Sequence, residues 1–140
     1  MTALAAAKEV LEKDGIVRAL PVSADIIYRG ALCTFNADGF LAPAGLAVSE
    51  VFAGVAEETV DNSAGAAGAL RCKVKTEGRY LLTGAGLAQG DLGVTVYASD
   101  DQTITKTAGT LPPIGTIDDF VSSTQVWVKL TVNPAAAAAE

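Results

Sequence analysis

Residues 125 to 132 read Gln125-Val126-Trp127-Val128-Lys129-Leu130-Thr131-Val132, an alternation with period two. In an extended strand Val126, Val128, Leu130 and Val132 share one face, and Trp127, Lys129 and Thr131 share the other. A helix would scatter the same residues around its circumference. Weaker versions of this pattern run from Ile26 onward, with turn residues recurring roughly every 8 to 12 positions, the signature of a sandwich or barrel. The spacing predicts strands over 26–28, 31–35, 51–56, 70–75, 79–82, 94–98, 103–107, 114–118 and 125–132. Asn36-Ala37-Asp38-Gly39 supplies a turn between the Cys33–Phe35 run and Phe40-Leu41, with Gly where a positive φ costs least. The expected fold is all-β, a small β-barrel or β-sandwich.

One β domain over 16–133 suits a chain of 140 residues. Half the residues are hydrophobic, but Ala and Gly supply much of that and aromatics only 6%. The core is therefore expected to be aliphatic and thin. Residues 1–15 form a separate N-terminal helical arm in this reading: Thr2 can cap a helix, Leu4, Ala7, Val10 and Leu11 fall on one stripe, and Asp14-Gly15 ends it. Three turns rich in alanine are marginal alone in water. The arm either docks on a surface through Leu4, Val10 and Leu11 or frays as a terminus. Residues 134–140, Pro134 followed by five alanines and Glu140, make a low-complexity tail.

The charge balance, 10 Lys plus Arg against 16 Asp plus Glu, argues against nucleic acid as a partner, since such binding rests on clustered cations. Arg71, Lys73, Lys75 and Arg79 are spaced to line one strand face, which reads as a solvated face in preference to a phosphate or acidic-protein contact. No window reaches the length of apolar chain that spans a membrane, so none is expected as a partner. Cys33 and Cys72 sit among apolar or alternating residues and read as buried free thiols. No positively charged, then apolar, leader opens the chain, so synthesis and use in the cytoplasm, or in something assembled there, are expected.

Histidine is absent, which removes the commonest general base and metal ligand and with them any Ser-His-Asp or Cys-His arrangement. Two cysteines alone do not make the usual structural zinc site. Acid pairs occur at Glu57-Glu58, Asp100-Asp101 and Asp118-Asp119. Neighbours in a strand point to opposite faces, and two of these pairs fall where turns are expected, so they read as solvated acids. In Gly84-Ala85-Gly86-Leu87-Ala88-Gln89-Gly90 a glutamine stands where a dinucleotide fingerprint has its third glycine, and no βαβ unit surrounds it. It reads as a loop between strands. No catalytic, cofactor-binding or metal site is expected, and the chain is read as not an enzyme.

Three segments in order carry a resemblance. Residues 19–32, ALPVSADIIYRGAL, enter a strand, turn at Arg29-Gly30 and enter a second. Residues 52–65, FAGVAEETVDNSAG, give a strand with Gly54-Val55-Ala56 and a small polar loop. Residues 86–101, GLAQGDLGVTVYASDD, are followed later by Ile114-Gly115-Thr116-Ile117. Together they resemble the small capsid decoration, or cement, proteins of tailed-phage heads, over 19–132. That resemblance implies a cofactor-free β domain that forms a homotrimer on the outer surface of the virion, made in the host cytoplasm, and that bridges major capsid protein subunits. The arm before Ala19 departs from the family pattern, so its role rests on its own residues. Leu4, Val10, Leu11 and Trp127 are the candidate capsid or subunit contacts. Trp127 can equally be an ordinary cross-strand packing residue. The alternative function is a non-catalytic sugar- or ligand-binding β-sandwich, which would call on exposed aromatics. Trp127, three Tyr and four Phe are the whole supply.

Overall fold

A computed structural model describes residue 6, residues 16–45 and residues 51–131. The helix expected over 2–13, with Leu4, Val10 and Leu11, and the tail 134–140 lie outside the described residues.

The described chain is nearly all β. Its strands are β1 Val17–Pro21, β2 Ile26–Ile27, β3 Leu32–Phe35, β4 Leu41–Pro43, β5 Val51–Ala56 and β6 Val60–Asp61, then β7 Arg71–Lys75, β8 Arg79–Thr83, β9 Thr95–Ala98, β10 Ile104–Thr105, β11 Pro113–Ser122 and β12 Gln125–Leu130. One five-stranded sheet has the order β1-β7-β5-β3-β4, a second has β10-β9-β11-β12-β8, and β2 pairs with β6 in a small ribbon. All ladders between the named strands are antiparallel. The sheets do not close into a barrel, so of the two expected architectures the barrel is excluded.

Two cores account for the layering. Leu32, Phe52 and Val55 from the first sheet meet Val96, Ile114, Ile117, Val126, Val128 and Leu130 from the second. On the opposite face of the first sheet, Cys33, Ala53, Ala56, Cys72 and Val74 pack beneath Ile27 of the ribbon, with Val60 half-buried beside them. The first sheet is thus covered on both sides. Its central strand β5 is buried from Phe52 to Ala56, whereas β12, covered on one side, alternates exposed and buried at every step.

Gly54 lets β5 serve both cores. Cys33 pairs with Gly54 and Thr34 with Phe52, leaving Ala53 as the extra residue of a bulge. The bulge turns Phe52 and Val55 toward the same core although they stand three apart. Gly54 has φ 147°, and a Cβ there would lie 2.5 Å from the carbonyl oxygen of Lys75 on β7. The close approach of two backbones requires glycine.

Three strands were not anticipated from the pattern: β1, β4 and the two-residue β6. β1 and β4 end in Pro21 and Pro43, and both are edges of the first sheet, where a missing N–H is tolerated. β11 runs past the expected end at residue 118 to Ser122 by means of register shifts between Ile117 and Asp119 and between Phe120 and Ser122.

Gly54→Ala should therefore cost about 2 to 4 kcal/mol of unfolding free energy, through backbone collision and loss of the bulge. Gly39→Ala, at φ 83° with open space around the added methyl, should cost only about 1 kcal/mol. Urea unfolding of both variants against the parent chain checks the contrast.

Candidate interaction surface

The side chains that sequence reading singled out for chemistry are dispersed. Glu57 Oε1 stands 3.7 Å from Lys75 Nζ, while Glu58 Oε2 accepts the backbone N–H of Lys73 at 3.0 Å. Asp100 Oδ1 accepts the N–H of Gln102 at 2.9 Å, closing a tight turn between β9 and β10. Asp118 and Asp119 are not in a turn; they sit within β11 at a bulge that exposes both. Asp118 Oδ2 accepts Arg79 Nε at 2.7 Å, and Asp119 Oδ1 accepts the N–H of Phe120 at 2.9 Å. Among the described residues no three Cys, Asp or Glu side chains converge as a metal site would require. Cys33 and Cys72 are free and buried, and burial pushes the Cys72 thiol up to about 11 and that of Cys33 higher still. Neither is poised as a nucleophile.

The glycine-rich stretch is the loop between β8 and β9, ending in a single 3-10 turn at Gln89–Asp91. It is pinned from outside. Lys106 Nζ donates to Gly86 O at 3.0 Å and to Asp91 Oδ2 at 2.8 Å, and the same oxygen accepts Ala88 N–H at 2.9 Å. The hydrogen bond from Lys106 holds the Asp91 carboxyl below its ordinary value.

The basic cluster divides between the sheets. Arg71, Lys73 and Lys75 share one face of β7, while Cys72 and Val74 point into the second core. Arg79 lies on β8 of the other sheet and pairs with Asp118. The single charged face expected over 71–79 is therefore divided between two sheets, because the chain crosses at Glu77-Gly78, and Lys75 and Arg79 face one cleft from opposite sheets.

What the structure does bring together is a row across the outer face of the second sheet. Trp127 on β12 stands in register with Leu81 on β8 and with Asp119 on β11. Trp127 is 38% exposed and Leu81 42%. Lys129 and Arg79 form the next row on one side, Gln125 and Thr83 the next on the other. Cross-strand packing and exposure coexist at Trp127: it pairs with Leu81 and still presents apolar surface, the composition of an interface anchor ringed by polar groups.

Sequence reading missed Asn62. The stretch 61–68 reads as a small, flexible loop, yet Asn62 is only 2% exposed. Its Nδ2 donates to Val22 O at 3.1 Å, Ser23 O at 3.0 Å and Ala66 O at 2.9 Å, clamping this loop to the chain that leaves β1. An asparagine among Ser, Ala and Gly carries no signal of such burial; only its long-range partners reveal it.

Comparison with protein families, curated proteins and solved structures found no match.

Replacing Asn62 by Ala removes the side-chain donor shared by the Val22, Ser23 and Ala66 carbonyls, each of which keeps a backbone donor from Gly68, Asp25 or Ala69, and should lower stability by about 1 to 2 kcal/mol, read from the denaturant midpoint at unchanged slope. A second outcome concerns pH. Because the folded pKa of Asp91 is depressed, its tie to Lys106 is in force above the ordinary carboxylate pKa and is lost as pH falls through the depressed value. The amides of Ala88 and Asp91 should lose protection on acidification, while Lys106→Met should remove most of that pH dependence.

Proposed function

We propose that this chain is a structural, non-catalytic protein of a tailed-phage head: a capsid decoration protein that binds the outer surface of the shell and bridges major capsid subunits. The observation that carries the reading is the ordered resemblance of residues 19–32, 52–65 and 86–101, with 114–117 after them, to that family. The first segment runs from the end of β1 through β2 to the first residue of β3, the second covers nearly all of β5, β6 and the start of the Asn62 loop, and the third covers the pinned loop and β9, with 114–117 in β11. Two further features support it. The acids that could have formed a reaction centre are apart and tied to structural partners. The exposed Trp127–Leu81 row offers an apolar contact of the kind that works by buried area and mass action at many symmetric sites.

In this reading the chain acts as a homotrimer, since icosahedral shells present threefold and quasi-threefold positions and a thin aliphatic domain gains from a shared interface. The segment 1–15 adds a second contact through Leu4, Val10 and Leu11, whose apolar stripe needs a partner surface. Burying those three side chains would supply several kcal/mol at ~25 cal/mol per Å², less the cost of ordering the segment.

Purified protein mixed with expanded heads lacking it should co-sediment to saturation and raise the temperature at which the heads lose their contents. Deleting residues 1–14 should leave a folded β domain by circular dichroism that binds heads at least tenfold more weakly. Failure of the full chain to co-sediment with heads of its own phage rules the assignment out. Unchanged affinity after the deletion removes the arm from the contact.

A further inference from the structure

The two large sheets have four edges, and three are blunted. β1 carries Arg18 and ends in Pro21; β4 has three residues, ends in Pro43 and is bridged to Val22; β10 has two residues and runs into Lys106. Such short, charged or proline-bearing strands resist pairing with another chain. The fourth edge, β8, has five residues, Arg79-Tyr80-Leu81-Leu82-Thr83, with neither proline nor glycine.

The ladder shows which of its backbone groups are free. Leu130 N–H donates to Gly78 O at 2.9 Å and Gly84 N–H to Thr124 O at 2.9 Å, so the residues of β8 that bond toward β12 are the even-numbered ones. In an antiparallel pair the alternate residues turn their N–H and C=O the other way. Those are Arg79, Leu81 and Thr83. Thr83 is met by a bridge to Thr103, while Leu81 N–H and C=O have no partner among the described residues.

The space beside this edge is a groove. Two adjoining clefts share Lys75 and Tyr80 and together run along β8 from Gly78 to Leu82. The floor includes Val55 and Ala56, and the wall opposite β8 includes Arg29, Glu57 and Lys75. Lys75 continues into Lys73 and Arg71 on the same face of β7, and with Arg29 and Arg79 lining the clefts this gives five cations against Glu57, Glu58, Glu77 and the Asp118 that pairs with Arg79. In a chain of net charge -6 this is a local reversal of sign.

We propose that the open edge of β8 and the basic face of β7 beside it form a strand-addition site for an extended polypeptide segment of another protein, one that alternates acidic and apolar residues. Leu81 N–H and C=O supply the main-chain pairing. The acidic side chains of the segment face Lys73 and Lys75, and its apolar side chains extend the Leu81–Trp127 row on the outer face. This is the mode in which backbone bonds give affinity and alternate side chains give selectivity. It does not depend on the phage-head reading.

The test uses the full chain and a short blocked peptide of alternating Val and Glu, with two control peptides: the Val and Lys version, and the Val and Glu version N-methylated at every residue. The amide resonances of Arg79 and Leu81 should shift with the Val and Glu peptide, and Leu81 should gain protection from exchange. The Lys73→Glu, Lys75→Glu double variant should weaken binding at least tenfold and reverse the preference between the charged peptides. Leu81→Pro, which removes the N–H pointing away from β12 together with the Leu side chain of the Trp127 row but no ladder bond to β12, should abolish it. Should that variant fail to fold, the N-methylated peptide, which has no backbone N–H on either edge, makes the same point on the parent chain and should not bind. Equal binding of both charged peptides, binding of the N-methylated peptide, shifts confined to other elements, or no binding of the Val and Glu peptide would each overturn the proposal.

Discussion

The close passage of β5 against β7 at Gly54 sets up the remainder of the architecture. A strand with perfect alternation serves one core with every second residue. The bulge breaks that rule at one place, so that Phe52 and Val55 both enter the space between the large sheets while Ala53 and Ala56 enter the space beneath the ribbon. With small residues on the ribbon side, β2 and β6 can sit close over the first sheet. A thin aliphatic chain thereby builds two cores from one shared sheet.

How much of this can be read from residues alone depends on how each strand is covered. β12 is wet on one side, and its alternation is visible in the sequence to the residue. β5 is dry on both sides and reads only as an apolar run, so its position is legible but its two allegiances are not. β1 and β4 end in proline, which argues against a strand until one knows that both are edges. Whether two sheets close into a barrel or stay open depends on edge-to-edge contacts that no local pattern encodes.

The surface divides in the same way. That Trp127 lies on the more polar face of its strand follows from spacing; that its neighbour across the ladder is Leu81 depends on a pairing between segments over forty residues apart. Likewise the four basic residues over 71–79 look like one stripe, and the crossing at Glu77-Gly78 divides them between sheets. Asn62 is the extreme case, since its role consists entirely of contacts with Val22, Ser23 and Ala66.

The two cores also differ in how much holds them shut. The one between the sheets is closed by ladders of up to six paired positions and by the largest side chains, Phe52 among them. The one beneath the ribbon is lidded by two strands of two residues each, with Asn62 as a latch. Sub-global opening should then begin on the ribbon side, at a free energy below that of complete unfolding. Cys33 and Cys72 both line that compartment, so the chain carries its own reporter: each lifting of the lid uncovers a thiol while the sandwich behind it stays intact.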